Sequence, residues 1–519
     1  MKALLINPKG ELGLMSWRKT CQMTGCSAVH PPLGLLTVAA LLPQTWQLRL
    51  IDQQIGPVSE ADWSWAEIVL LSGMVGTEEG LLDLIAEAKD RGKVVVAGGP
   101  YATLVADDCL AAGCDFVVKG EAENTMDQLL ASLNGGAKDR VIENGEKADL
   151  TRSPIPRFEL LDLHQYLMMG VQTSRGCPYD CEFCSVVELC GRRPRYKTPG
   201  QVLKELEVLN NLGWRGEVLF ADDNFVGNKA QAGAILERLT PWLSDRGEPF
   251  EFHTQVSVDL GLDSDMMSRM ADANFTTVYV GIESTDQEVL ERAHKRQNLR
   301  NQPLELVRNM RENGLLVVGH FVIGFDGEES GAGDRIADFI EACDMPLALL
   351  HILQALPGTR FWKRLKCEDR LLLNRSGIDT IPPSKPNFVP TRPEHDIIDE
   401  HERLWASVYQ DSRYLARTYK YLVAMPPKRS SSPLMRGGSL GRRYKYVLAL
   451  LRLIWRQGVR GSSRRQFWKQ LAGMIRENPS RTPPYLATCI VGETMFELRD
   501  LLLRYRKDAQ DQGHCPAQG

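Results

Sequence analysis

Nine residues carry the strongest chemical pattern in the chain: Cys177-Pro178-Tyr179-Asp180-Cys181-Glu182-Phe183-Cys184-Ser185. They follow a β-like run that starts at Met169 and ends on Gln172-Thr173-Ser174-Arg175-Gly176. Three thiolates spaced C-x3-C-x2-C in a loop after a strand can bind three irons of one [4Fe-4S] cube and leave the fourth iron without a protein ligand. Electron carriers use four cysteines per cluster, so a set of three points to an iron kept open for a substrate or cofactor. The competing reading is a zinc loop or a grouping of buried thiols. Zinc sites favour paired C-x2-C or Cys/His sets; no second pair lies nearby, and Cys190, six residues on, could complete one.

The elements that must position this loop are readable on both sides of it. Strand-like runs recur at 169–175, 216–221, 250–257, 277–283, 316–324 and 347–354, with helical stretches at 200–212, 228–244, 264–273, 303–313 and 332–344. Six βα units in order predict a parallel barrel, partial at six, with chemistry at the carboxyl ends of its strands. Those ends are polar: Asp222-Asp223-Asn224-Phe225, His253-Thr254-Gln255-Val256-Ser257, Gly281-Ile282-Glu283-Ser284, Gly319-His320, and Gln354-Ala355-Leu356-Pro357-Gly358-Thr359. Carboxylates around one mouth can bind a metal or act as acid and base. They also suit a cation with hydroxyl groups. S-adenosylmethionine (SAM) is such a ligand, because its ammonium and carboxylate can chelate an open iron while side chains hold the ribose and sulfonium. For any one strand-end residue, a helix N-cap is an equal reading.

Ahead of the barrel, apolar runs at 2–7, 47–52, 67–73, 93–98 and 115–119 alternate with helical stretches at 33–42, 78–91 and 123–134. This rhythm predicts a doubly wound parallel sheet, whose ligands bind beyond the carboxyl ends of the strands. Small residues gather there: Ser72-Gly73-Met74-Val75-Gly76, Gly98-Gly99-Pro100 and Gly120-Glu121-Ala122-Glu123. Glycine lets backbone approach a large flat ligand, or simply turns a tight connection. The loop from Asn7 to Pro32 is long for a βα connection; its Cys21, Cys26 and His30 read as packing residues.

At 519 residues the chain has room for roughly three domains of about 150 residues. Its 43% hydrophobic and 25% charged residues are those of a soluble globular protein. Met1-Lys2-Ala3-Leu4-Leu5-Ile6-Asn7-Pro8 reads as a strand rather than a secretory signal. No apolar run reaches the length of a membrane span. Twelve scattered cysteines fit reduced thiols, so a cytoplasmic protein is expected. The net charge of −4 is unevenly spread, with sixteen Lys/Arg and no Asp/Glu between Ser412 and Arg476.

Together these motifs resemble the cobalamin-dependent radical SAM enzymes. The likeness rests on the cysteine motif, Asp222-Asp223-Asn224-Phe225, Gly281-Ile282-Glu283-Ser284 and the Leu-Pro-Gly-Thr element at 356–359. It extends to Gly-Arg-Arg-Pro-Arg at 191–195, Gly227-Asn228-Lys229 and Asn387-Phe388-Val389-Pro390, and is strongest to the branch with hopanoid C-2 and C-3 methylases. The resemblance implies that Cys177, Cys181 and Cys184 bind the cluster, and that Asp222, Asp223, Asn224, Gln255, Ser257, Glu283 and Ser284 contact SAM. It implies a cobalamin-binding domain at the N-terminus, where Gln54, Ser72, Gly73, Gly98, Gly99, Gly120 and Glu121 contact the cofactor. Relatives with a lower axial histidine read D-x-H-x-x-G after a strand; here Asp52-Gln53-Gln54-Ile55-Gly56-Pro57 puts Gln54 in the histidine place. Relatives often have Thr-Glu-Ala-Ser on the third barrel strand, where this chain has Thr254-Gln255-Val256-Ser257.

The implied organisation is a cobalamin-binding Rossmann-like domain at 1–148, a linker at 149–168, a radical SAM barrel at 169–385, a basic helical region at 386–507 and a disordered tail at 508–519. The implied reaction is radical methylation of an unactivated carbon of a lipid-like substrate, best a hopanoid, with an electron donor such as a flavodoxin or ferredoxin. Alternatives are a radical SAM cyclase, oxidase or methylase acting on a tetrapyrrole or other natural product, and a cobalamin- or cluster-binding sensor. After Pro386 helices are expected at 396–420 and 442–460. The second aligns Arg452, Arg456 and Arg460 on one face, so 442–469 is expected to offer a basic face to the inner side of a membrane. The competing readings are a helix packed on the barrel with its basic face in water, and, less favoured, nucleic-acid binding.

Overall fold

Strand β1 (Lys2–Asn7) is buried on both faces, with Leu4 and Ile6 in one apolar core and Ala3 and Leu5 in another. A parallel strand covered by helices on each side has no solvated face, so its sequence is an unbroken apolar run. It forms one parallel sheet with β2 (Gln47–Asp52), β3 (Ile68–Ser72), β4 (Val94–Gly98), β5 (Phe116–Lys119) and β6 (Val141–Glu143), in the order β2-β1-β3-β4-β5-β6. Leu81, Leu84, Ile85 and Ala88 of the helix Glu78–Asp90 close the first core, and the helices Leu33–Leu41 and Ala122–Leu133 close the second. The strand order reverses at β1, which opens a crevice beyond the carboxyl ends of β1 and β3. The expected doubly wound sheet is present, with β6 added. Three residues are too few to display a period.

This computed structural model describes residues 1–10, 13, 17–135, 139–299, 302–372, 385–428 and 440–511, with the backbone alone at 440–443 and 506–511. The chain divides into two compact units. The first comprises Met1–Glu11, Ser27–Pro249 and Leu356–Lys363; the second comprises Leu12–Cys26, Phe250–Ala355 and Arg364–Gly519.

Six βα repeats follow the first sheet. In the first unit, β7 (Met169–Val171) is followed by a two-stranded antiparallel ribbon of β8 (Ser174–Arg175) and β9 (Arg195–Tyr196), and β7 pairs in parallel with β10 (Gly216–Phe220). The expected strand 169–175 is thus two strands with a bend at Gln172-Thr173. In the second unit, β11 (Phe250–Val256), β12 (Phe275–Glu283), β13 (Leu316–Ile323) and β14 (Leu347–Ile352) pair in parallel, each with the next.

From Glu394 on, the described residues of the second unit are mainly helical. The expected helix at 396–420 is two helices, Glu394–Val408 and Asp411–Ala424. At the break, the buried Tyr409 hydroxyl donates to the Ala348 carbonyl and accepts from the Ala348 N–H, which pins the turn to β14. The helix expected at 442–460 is an α-helix, Leu440–Leu453, that continues as a π-helix over Ile454–Arg460. Arg464–Glu477 and Thr482–Asp511 complete the set. The last helix runs past the expected start of the tail at Asp508; residues 512–519 lie outside the described residues. Among the described residues, no helix is long and apolar enough to cross a membrane.

Candidate functional site

The ribbon β8–β9 closes the cysteine loop at its base, pairing Ser174 with Tyr196 and Arg175 with Arg195. At Gly176 (φ +99°) an added Cβ would meet the carbonyl oxygens of Gly191 at 2.9 Å and Arg193 at 3.1 Å. Both the left-handed backbone and this close crossing require glycine. The Cys177 N–H donates to the Gly191 carbonyl at 3.3 Å, and the Cys184 N–H to the Cys181 carbonyl at 3.2 Å. Cys181 is buried, and Cys177 and Cys184 are half-buried. Burial pushes the Cys177 thiol up, against hydrogen bonds to its sulfur from the Tyr179 N–H and the Asn224 side chain. Donors aimed at a sulfur favour the thiolate that an iron needs, so the loop fits a cluster ligand at this position. Among the described residues, no three His, Cys, Asp or Glu side chains converge on one metal ion; a cubane places each thiolate on its own iron and needs no such point. Cys190 has another partner. Its thiol donates to Asp223, and burial pushes it up to about 12.

Asp222 and Asp223, expected to contact SAM, are engaged by the chain itself. Asp222 is fully buried and accepts from the Thr173 N–H (2.7 Å), the Ser174 N–H (3.1 Å), the Ser174 hydroxyl (2.9 Å) and the Thr173 hydroxyl. Burial pushes its carboxyl up to about 6, opposed by those donors. It holds the bend between β7 and β8 from which the loop departs. Asp223 accepts from the Gly176 N–H at 2.7 Å and so fixes the residue before Cys177. Further on, the Phe361 N–H donates to the Glu182 carbonyl at 2.9 Å, and Arg360 bonds the Asp180 carbonyl. This accounts for the Leu-Pro-Gly-Thr element: Thr359 accepts from the Trp362 N–H at 3.1 Å and starts the helix whose first residues grip the loop.

At the carboxyl edge of the first sheet, Gly99 (φ +84°) lies so close to the Ser72 hydroxyl that a Cβ would overlap it. Thr103 donates to the Gly99 carbonyl (2.8 Å) and accepts from the Gly120 N–H (3.0 Å), tying the ends of β4 and β5 together. At Gly120 (φ +85°) an added Cβ would enter open space, and Met74 stands 65% exposed at the end of β3. This low, glycine-lined edge at the switch point suits a broad, flat ligand. Gln54 is exposed, and its amide reaches the Pro8 carbonyl at 3.4 Å. The preceding Asp52 is buried and accepts from Asn7 (2.8 Å), the Gln54 N–H (3.0 Å) and the Tyr166 hydroxyl (3.1 Å). Glu121 does not present a free carboxylate. It pairs with both terminal nitrogens of Arg195 at 2.8 Å and with Arg175 at 3.3 Å. Burial opposes ionisation, but the Arg195 guanidinium holds its carboxyl below the usual range. Glu123 pairs with Arg175 at 2.8 Å. The sequence showed no sign of these partners, because Arg175 and Arg195 become neighbours only through a ribbon of two-residue strands.

The other strand-end residues belong to the second unit. Gln255 is exposed and Ser257 half-buried. Glu283 adopts φ +65°, a left-handed conformation uncommon outside glycine, and its carboxylate pairs with buried Lys295 at 2.5 Å. The Ser284 hydroxyl accepts from the Asp286 N–H at 3.1 Å. Glu283 and Ser284, expected at SAM, are thus bonded within the chain: Ser284 inside its own turn, and Glu283 to Lys295 beyond the helix Gln287–Arg292. One feature escaped the sequence reading: a row of rings climbs across the four strands. His253 to Tyr279 is 6.4 Å between ring centres, Tyr279 to His320 6.2 Å, and His320 to His351 5.6 Å, the last pair stacked at 5°. Tyr279, His320 and His351 each lie two residues beyond the residue that pairs with the preceding ring. Phe321 packs on Phe339 of the helix Ala332–Ala342, so its neighbour His320 points to the opposite face. Barrel interiors are filled mainly by branched apolar residues; a polar row in this sheet is a departure that alternation within each strand could have shown.

Residues 26–130 match the B12 binding domain, 171–340 the Radical SAM superfamily, and 359–507 a domain of unknown function. An uncharacterized methyltransferase of Synechocystis sp. is 40% identical over 97% of this chain and 92% of its own length. The hopanoid C-2 methylase of Rhodopseudomonas palustris is 32% identical over 86% of this chain and 84% of its own. Among solved structures, the radical SAM methyltransferase TsrM of Kitasatospora setae, with cobalamin and a [4Fe-4S] cluster bound, aligns over 86% of this chain and 98% of its own with a TM-score of 0.61. At 15% identity that likeness concerns the fold alone. The glycine edge of the first sheet falls within the B12 binding match and the three-cysteine loop within the Radical SAM match, and the chain belongs to the cobalamin-dependent radical SAM family, as a methyltransferase that uses a [4Fe-4S] cluster, SAM and cobalamin.

Proposed function

We propose that this methyltransferase acts on a hopanoid, adding a methyl group to an unactivated carbon of the polycyclic lipid. The observation that carries the substrate is the extended likeness to the hopanoid C-2 methylase. The protein works in the cytoplasm, in peripheral contact with the inner face of the membrane through 442–469, and takes its electron from a flavodoxin or ferredoxin. Cys177, Cys181 and Cys184 hold the cluster, and the edge formed by Ser72, Gly73, Gly98, Gly99 and Gly120 receives cobalamin. With Gln54 in the histidine place, the cobalt has no imidazole from that motif. Gln255, exposed at the end of β11, is the strand-end residue best placed to contact SAM, since Asp222, Glu283 and Ser284 are bonded within the chain.

When bound, the cluster supplies the electron that cleaves SAM reductively and cobalamin supplies the methyl group. The chain's part is to hold and to exclude. Asp222 and Asp223 fix the start of the cysteine loop, Arg360 and Phe361 fix its middle, and the Tyr179 N–H and Asn224 favour the Cys177 thiolate. Reconstituted protein given reductant, methylcobalamin and SAM labelled in its methyl group is expected to place the label on a hopanoid and to release 5′-deoxyadenosine. Label on a chlorin offered in parallel, with none on the hopanoid, would move the protein to the tetrapyrrole alternative. Label on neither removes the substrate proposal.

A further inference from the structure

The C-terminal helices turn the opposite way from what their charges suggest. Lys445 donates to the Gly25 carbonyl at 2.7 Å, and Arg452 to the carbonyls of Gln22 and Met23 at 2.9 and 2.7 Å. Both cap the helix Arg18–Thr24, whose last carbonyls favour a cation. Arg456 pairs with Glu493. Two of the three arginines expected on a membrane face, Arg452 and Arg456, therefore brace the protein through their head groups. Beside them an apolar row is exposed: Tyr444, Val447, Leu451, Trp455 and Val459 are between 48% and 65% exposed. They follow at steps of three and four and make one line along the helix. Repeated steps of four overshoot a turn of 3.6 residues, and the wider i→i+5 turn over Ile454–Arg460 takes up the overshoot. Ala449 and Leu453, on the inner side, are buried, so the helix is apolar on two faces, and among the described residues only one is covered.

The surroundings of the stripe say what covers the other. Arg460 lies over the Trp455 ring at 5.5 Å and is exposed, as are Arg464, Arg465 and Lys469 on the next helix. Trp468 and Ile475 add exposed apolar surface there. No acidic residue occurs from 412 to 476. An apolar line with aromatic residues, edged by cations and without anions, complements an anionic lipid surface. It is a poorer match for a protein partner, whose interface carries charges of both signs. Since no described helix can span a bilayer, the helix would lie in the interface.

We propose that the stripe Tyr444–Val447–Leu451–Trp455–Val459 inserts into the headgroup boundary of an anionic bilayer, with Arg460, Arg464, Arg465 and Lys469 on its phosphates, and that Lys445, Arg452 and Arg456 take no part. This deepens the peripheral-membrane reading above and rests on it. The test uses the full-length holoprotein and vesicles of phosphatidylcholine with or without phosphatidylglycerol. Co-sedimentation is expected to favour the anionic vesicles by about tenfold or more, and brominated acyl chains are expected to quench tryptophan emission, less so in Trp455→Phe. The double variant Leu451→Asp with Trp455→Asp is expected to lose about tenfold or more of this binding, with melting temperature and 5′-deoxyadenosine formation unchanged. Absence of binding to either vesicle overturns the membrane reading and this inference together. Binding that survives the double variant but is lost in Arg464→Glu with Arg465→Glu keeps the membrane reading and overturns the stripe. A wild-type dimer that the double variant converts to monomer, with no vesicle binding, assigns the stripe to a second copy of the chain instead.

Discussion

Asp222 meets four donors with one carboxylate, and two of them are backbone N–H groups of the bend. An amide in its place accepts at one atom only and brings two donors of its own. Each buried donor left unsatisfied costs about 1–3 kcal/mol. Asp222→Asn is therefore expected to lower the melting temperature and the iron and sulfide bound after reconstitution, while cobalamin content stays near that of wild type. His253 makes a second prediction at this scale. It is buried beside Glu251 and Lys428, and burial, the larger cause, lowers its imidazole from 6.5 to about 4. Unfolded, the ring gains a proton as pH falls below its ordinary value; folded, it stays neutral until about 4. Stability is thus full above pH 6.5 and is lost as pH falls through this window, by about 3 kcal/mol at most. His253→Gln is expected to flatten the denaturant midpoint between pH 6.5 and 4. An unchanged slope would remove this role.

Between elements, the ion pairs at the end of β5 do what glycine-rich connections alone cannot: they tie the first sheet to the ribbon that closes the cysteine loop. Breaking a buried pair by neutralising one partner costs about 3–5 kcal/mol, whereas replacing both by apolar side chains costs far less. Glu121→Gln is expected to lower thermal stability clearly. The double variant Glu121→Gln with Arg195→Met is expected to recover part of that loss, by calorimetry on the same preparation. The roles of these residues mark where sequence reading ends. The cysteine spacing and the apolar runs were legible because each is local, set by a few neighbours or by one period. Glu121 was placed among cobalamin contacts because its strand end is right. Its partners arrive through β8 and β9, which are too short to carry a pattern. The arginine spacing at 452, 456 and 460 did define a face, but which face turns outward depends on carbonyls at 22, 23 and 25 and on Glu493. Those lie hundreds of residues away along the chain, or two helices later, and no period reports them.

At the scale of the whole molecule, the second unit is built from distant segments. Thr20, in the helix Arg18–Thr24, bonds Thr494 of the last helix through its N–H at 2.9 Å and its hydroxyl at 2.7 Å, both buried. Tyr414 donates to the Thr488 carbonyl at 2.6 Å, and Met495 and Leu502 are buried. The last helix is therefore part of the unit's core and not an appendage. Removal of 482–519 is expected to yield protein that aggregates or melts well below the full chain. The central claim is that the loop at 177–184 holds a cluster whose open iron serves SAM, in an enzyme that methylates a hopanoid. The most direct test compares wild type with Cys177→Ala, both loaded with cobalamin, in one assay with reductant, methyl-labelled SAM and hopanoid. Wild type is expected to form 5′-deoxyadenosine together with a labelled hopanoid heavier by one methyl group, and Cys177→Ala to form neither. Equal 5′-deoxyadenosine from both proteins, or its formation by wild type without any labelled hopanoid, would contradict the account.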